Sequence, residues 1–201
     1  MKTAQFFIYL SCLYLLSCSG GQQKNDLSSK ERQKEILTSE EQQNKILTLI
    51  PSQSKIIIES LPAGYVKNLV TNASETFRYY RSSNLNMDWS SGGEQKASEE
   101  ILVDVYELKQ NATFSTMFKF LNSELDKLCL TQSQIVYFCQ KNSTHLSQEG
   151  PTFFLFKENN KFFVAQVNVF SDGLQVHVYD FNYKDIWIAN VYDYRLVVPA
   201  F

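Results

Sequence analysis

The chain is 201 residues long and carries a formal net charge of −2, from 19 Lys and Arg against 21 Asp and Glu. That length suits one domain plus a tether better than two domains, and a core of this size can stabilise itself without metals or many disulfides. The mild acidity gives no electrostatic footprint for nucleic acid and no polybasic face for a membrane surface.

The chain opens with a positive residue, Lys2, followed over residues 4–17 by an apolar run. The run is shorter than the roughly 20 apolar residues that a spanning helix needs, and reads as an export signal. It ends in Leu15-Leu16-Ser17-Cys18, followed by Ser19-Gly20-Gly21. This resembles the lipobox of bacterial lipoproteins, with Leu at −3 and a small residue before the Cys; the resemblance covers residues 1–18 alone. It implies cleavage before Cys18, diacylglycerol on the thiol and acylation, such as palmitate, on the new amine. Several acyl chains anchor firmly where one binds only marginally. Ser19 in place of Asp looks like the outer-membrane form of the signal in Gram-negative bacteria and does not itself specify the leaflet; the expected location is the cell envelope, lipid-anchored at the outer membrane and facing the periplasm. Leu16 at −2 departs from the commoner small residue, which bears on processing efficiency. Removing residues 1–17 from the 201 leaves 184, and losing Lys2 takes the formal charge from −2 to −3.

A second reading is a secreted eukaryotic glycoprotein. Asn72-Ala-Ser74, Asn111-Ala-Thr113 and Asn142-Ser-Thr144 match the N-glycosylation acceptor, although such triplets arise by chance in a chain rich in Asn, Ser and Thr.

Of the four cysteines, Cys12 leaves with the signal and Cys18 takes the lipid, so Cys129 and Cys139 remain in a compartment that permits disulfides. A Cys129–Cys139 bridge is the expectation, with two buried thiols as the other reading. Zinc is disfavoured, because His145 and His177 are the only histidines and there is no C-x-x-C pair.

Residues 19–28 lack a hydrophobic face and read as a flexible tether. Residues 29–50 are charged and helical in composition, with Thr38-x-x-Glu41 as an internal capping box, and predict a helix or stalk ending at Pro51. Ile56-Ile57-Ile58 is too short to assign, and Leu61-Pro62-Ala63-Gly64 is a turn. Strand patterning begins with Phe77–Tyr80 and Asn86–Trp89, then, after a loop at Ser90–Gly93, continues with Ile101–Leu108.

Phe114, Phe118, Leu121, Leu125 and Leu128 recur at spacings of 4, 3, 4 and 3, which predicts one amphipathic helix over about 112–128, capped by Asn111 or Thr113. Gln134–Cys139 reads as a strand. Thr152–Lys157 and Lys161–Phe170 flank Glu158-Asn-Asn160, a hairpin signature. Ser171–Gly173 turns the chain into Leu174–Tyr179, and Ile186–Val198 gives one or two further strands. The expectation is an α+β domain over 51–201, with a mainly antiparallel sheet of about six to eight strands packed on the 112–128 helix.

No motif for catalysis, cofactor or metal stands out: there is no nucleophile elbow, H-E-x-x-H, P-loop or dinucleotide fingerprint. His177 alternates with Val176 and Val178, which turns it to the polar side of its strand, and His145 lies in a polar loop. Asp172, Asp180, Asp185 and Asp193 lack the spacing of a calcium loop and read as turn and edge residues. The conspicuous feature is aromatic: residues 151–201 hold 13 of the 28 rings, more than one core face needs. Tyr and Trp carry much of the binding energy at interfaces. Tyr179, Tyr183, Trp187, Tyr192 and Tyr194, rimmed by Asp180, Asp185 and Asp193, are therefore the expected contact surface for a protein partner. The sequence points to a non-enzymatic envelope lipoprotein, such as an immunity protein that caps a periplasmic toxin. The alternative is a carrier of a small ligand or lipid in an aromatic-lined pocket.

Overall fold

The computed structural model describes residues 45–66, 76–82 and 96–201. The export signal, Cys18, the tether, Asn72, the Asn86–Trp89 strand, the Ser90–Gly93 loop and all but the last residues of the expected 29–50 helix lie outside them.

The described residues form an α+β arrangement dominated by a mixed sheet of eight strands and two α-helices. The strands are β1 (Leu47–Leu49), β2 (Ile56–Ile58), β3 (Phe77–Ser82), β4 (Ile101–Leu108), β5 (Thr152–Glu158), β6 (Lys161–Phe170), β7 (Gly173–Asp180) and β8 (Arg195–Pro199); the helices are α1 (Phe114–Leu121) and α2 (Gln132–Lys141). Strand order is β1-β4-β8-β5-β6-β7-β3, with β2 beside β1 along the same edge of β4. The meander β5-β6-β7 is antiparallel, as expected. Its first turn places Asn159 and Asn160 at φ 47° and 60°, the left-handed pair that a two-residue hairpin demands. The sheet is nevertheless mixed. The chain leaves β7, crosses back over residues 181–194, and inserts β8 between β4 and β5, parallel to β5. Strand β3 is parallel to β7.

Side-chain alternation divides the core into two layers. Val103, Val105, Phe154, Phe156, Phe163, Ala165, Val176 and Val197 belong to the layer that takes in Ile135, Val136, Phe138 and Cys139 of α2. Phe153, Leu155, Val164, Tyr179, Leu196 and Val198 belong to the layer that takes in Phe114, Met117 and Phe118 of α1. Central strands buried on both faces lose polar alternation and read as continuous apolar runs, which is why Thr152–Phe156 and Leu196–Val198 carry almost no polar residue.

Four expectations are corrected. Leu47–Leu49, placed in the 29–50 helix, is a strand paired with Leu108–Tyr106; edge pairing and burial of Leu47 outweigh local helical composition. The 112–128 helix is two pieces. It ends at Leu121 because Asn122 adopts extended backbone (φ −156°, ψ 135°) and its Oδ1 accepts from Glu124 N at 2.9 Å. Residues Leu125–Leu128 then form a separate 3-10 turn. The five stripe residues still pack in or against one layer.

Gln134–Cys139, read as a strand, lies in α2. A reciprocal capping box starts this helix: Thr131 Oγ1 accepts from Gln134 N at 3.1 Å, and Gln134 Oε1 accepts from Thr131 N at 2.9 Å. Finally, Cys129 and Cys139 are free thiols rather than a disulfide. They pack in different layers, Cys139 with α2 and Cys129 against the α1 side. Cys129 Sγ instead donates to Leu125 O at 3.3 Å. No helix among the described residues is long and apolar enough to cross a membrane.

Candidate functional site

The return segment 181–194 carries no strand of its own, so its backbone depends on pins supplied by other elements. Asp180 begins it, accepting from Asn182 N at 2.8 Å through its side chain and from Tyr183 N at 3.0 Å through its carbonyl. Trp187 makes a two-way backbone bridge with Ala112 (2.9 and 3.1 Å), and Ala189 N donates to Asn111 Oδ1 at 2.9 Å. The end is fixed by Arg195, whose Nη2 lies 2.7 Å from Asp193. Its Nη1 donates to His145 O at 3.1 Å and Leu146 O at 3.3 Å.

Between the pins the segment turns apolar side chains outward. Ile186, Ile188, Val191 and Tyr192 are each between 53 and 62 % exposed. All four line one depression of about 280 Å³, together with Tyr183, Asp185 and the Trp187 ring.

The expected contact surface is only partly at the surface. Tyr179 and Tyr194 are buried core residues and Trp187 and Tyr183 are half-buried, leaving Tyr192 as the ring that faces out. Trp187 sits at the hub of the aromatic cluster, 4.9 Å from Phe153, 5.2 Å from Phe114 and 5.7 Å from Tyr194, centroid to centroid. Burial, then the neighbouring Tyr183 and Asp185, pushes the Tyr179 hydroxyl up to about 12. The Tyr183 hydroxyl is also raised, chiefly because it donates to Asp185 at 2.6 Å. Of the expected acidic rim, Asp180 caps a turn and Asp193 is taken by Arg195; Asp185 remains exposed at the depression.

Sequence reasoning passed over a larger feature that shares Trp187, Tyr192 and Tyr194 with this depression. Along β6 the residues of one parity change character. Phe162 and Val164 belong to the α1 layer, but Gln166, Asn168 and Phe170 continue that face beyond it. With Gln148, Glu149, Tyr192 and Tyr194 they line a cleft of about 480 Å³. The signal was legible: amides entering a strand whose other parity, Phe163-Ala165-Val167, is plain core.

Two loops wall this cleft, and Gly150 holds them together. A Cβ at Gly150 would lie 2.7 Å from Asp193 O and 3.0 Å from Tyr192 Cβ, so only glycine permits the approach. Ser147 Oγ accepts from Gly150 N at 3.0 Å and Thr152 Oγ1 accepts from Ser147 N at 2.9 Å, which leaves that loop little freedom to retreat. Gly150→Ala is therefore expected to cost about 1–3 kcal/mol by overpacking, read as a lowered urea midpoint with an unchanged slope. A variant as stable as the parent would refute the close approach.

His177, Cys129 and Cys139, side chains of a type used in catalysis, are not among the residues that line the cleft or the depression. The His177 ring lies 4.1 Å from that of Tyr179, tilted by 34°, and burial and then Arg81 hold its pKa below the ordinary imidazole value. Burial, then Asp126, pushes the Cys129 thiol up to about 12, with Lys157 opposing, and burial alone raises Cys139 further, so neither is a ready thiolate. No cluster of three or more His, Cys, Asp or Glu residues placed to hold a metal occurs among the described residues. Comparison with known proteins gives no lead: no family model, no curated protein and no solved structure matches this chain.

Proposed function

We propose that this protein is a non-catalytic binding module of the bacterial envelope, tethered by lipid on Cys18 to the periplasmic side of the outer membrane, and that it docks a protein partner through the 185–192 loop. The observation that carries the reading is the convergence of exposed Ile186, Ile188, Val191 and Tyr192 on one depression. Scattered exposed apolar residues are ordinary on a soluble domain, whereas a contiguous set around a concavity marks an interaction site. The backbone under it is pinned at Trp187 and Ala189, so little ordering entropy opposes association. Asp185 at the rim favours a basic partner and speeds encounter at low salt. A periplasmic toxin capped by an immunity protein is a partner of that kind.

The test is capture from envelope extract by wild type and by the triple variant Ile186→Ser, Ile188→Ser, Val191→Ser. The variant should retain its circular dichroism and melting temperature while losing the captured basic protein. An anchor control accompanies it: Cys18→Ala should shift the protein from the membrane pellet to the soluble fraction and abolish palmitate labelling. Equal capture by the triple variant would move the docking site elsewhere, and a Cys18→Ala protein that still pellets would refute the tether.

A further inference from the structure

The 480 Å³ cleft between the 147–151 loop and the 192–194 segment shares Trp187, Tyr192 and Tyr194 with the docking depression, but it carries the amides Gln148, Gln166 and Asn168 where the depression carries aliphatic side chains. From this cleft we infer a second binding site, for a neutral saccharide.

Three features fix the ligand class. Among the buried side-chain atoms without a hydrogen-bond partner are Gln166 Oε1, an acceptor, and Trp187 Nε1, a donor, and both residues line the cleft. Each atom is closed to solvent and costs about 1–3 kcal/mol while unpaired, so a small side-chain adjustment that brings a ligand hydroxyl to either one is favoured. A hydroxyl both donates and accepts, so one ligand chemistry serves both atoms. Secondly, among the described residues that line the cleft, Glu149 is the only charged one. That set holds no Lys or Arg for a phosphate, sulfate or carboxylate, and a lipid chain would leave Gln166 Oε1 and the indole N–H unsatisfied.

Thirdly, the rings form corners rather than a slot. Tyr192 stands at 80° to Tyr194, and Trp187 at 66° to Tyr194. A flat nucleobase prefers to lie between parallel faces. The C–H face of a pyranose packs on a single exposed ring while its hydroxyls reach sideways to amides, and Tyr192 and Phe170 are both more than half exposed at this cleft. A volume of about 480 Å³ lies within the range of small-ligand sites and suits one or two sugar rings.

The experiment follows the indole N–H of Trp187 in proton–nitrogen correlation spectra of the full-length domain, with the second indole signal assigned by Trp89→Phe. Cellotriose, maltotriose and tri-N-acetylchitotriose are titrated to millimolar concentration, with glucose 6-phosphate and uridine as comparators. At least one neutral saccharide should shift the Trp187 signal saturably, and the comparators should not. Gln166→Leu and Tyr192→Ala should each weaken that binding about tenfold, the equivalent of one good contact. Gln166→Leu also separates binding from folding: it removes an unpaired acceptor at the loss of a long amide–amide bond to Asn168 Oδ1 (3.3 Å), so the melting temperature should change little while affinity falls. The proposal is overturned if no saccharide shifts Trp187, if uridine or glucose 6-phosphate binds as tightly, or if both variants bind unchanged. Because the triple substitution at Ile186, Ile188 and Val191 leaves this cleft's lining intact, saccharide binding should survive it, so the two sites fail or stand separately.

Discussion

Phe153→Ala is expected to destabilise the protein by about 4 kcal/mol, within the 3–5 kcal/mol usual for truncating a fully buried ring. Phe153 has no solvent exposure and lies on β5 at the centre of the α1 layer. Its ring meets Phe114 edge-on at 5.1 Å, stacks parallel to Tyr194 at 6.0 Å, and touches Trp187 at 4.9 Å. It therefore supports three places at once: the first turn of α1, the residue before β8, and the 181–194 segment, which carries the depression and one wall of the cleft. Removing it leaves a cavity that rigid sheet neighbours cannot fill, so the transfer cost and the cavity cost add. Equilibrium urea unfolding followed by circular dichroism gives the number; a loss below 1 kcal/mol would mean that the aromatic cluster is loosely packed. Near-ultraviolet circular dichroism should weaken as well, because Trp187 loses its closest aromatic neighbour.

The aromatic cluster also explains how much of the protein was legible in its sequence. Elements governed by local rules were readable. The Asn159-Asn160 turn, the alternation in Ile101–Leu108 and the Thr113 cap, whose Oγ1 accepts from Thr116 N at 3.2 Å, all lie where their residues direct. Errors arose where local patterns are degenerate. Ile135-Val136-Tyr137-Phe138 has strand-like composition, and α2 forms because Thr131 and Gln134 cap it and both sides of it are buried. The decisive cue, T-x-x-Q, was present and went unused. The break at Asn122 was hidden by a stripe that keeps its spacing through a non-helical joint. The parallel insertion of β8 between β4 and β5 depends on contacts more than 40 residues apart, which no local pattern encodes.

The site was half-visible for a related reason. Ring density drew attention to residues 179–194, but composition cannot tell a core ring from an exposed one. Tyr179 and Tyr194 were absorbed by the second layer that α1 covers, while the aliphatic residues Ile186, Ile188 and Val191 took the surface.

Arg195→Met should cost about 3 kcal/mol, and the reason is its position between the two loops that wall the cleft. The side chain is only 17 % exposed and pairs at 2.7 Å with Asp193, itself 26 % exposed, so solvent screens the pair weakly. The same guanidinium donates to the carbonyls of His145 and Leu146 and, at 3.4 Å, to Gln53 Oε1, tying the 145–150 loop and the turn after β1 to the start of β8. Breaking a largely buried pair on one side strands the other charge, which is the costly case, and here two carbonyls lose their donor as well. Asp193→Asn should cost less, because Arg195 keeps its carbonyl partners and a neutral amide can still accept from it. Arg195→Lys should not restore stability, since one ammonium cannot reach a carboxylate and two carbonyls in the planar geometry of a guanidinium. Urea unfolding of the three variants should therefore rank them Asp193→Asn, then Arg195→Lys, then Arg195→Met in increasing loss. Equal stability of Arg195→Lys and the parent would show that only the charge matters. If instead all three are mildly affected, the cleft walls are held by Gly150 and the backbone of residues 192–193 alone, and Gly150→Ala becomes the more damaging substitution.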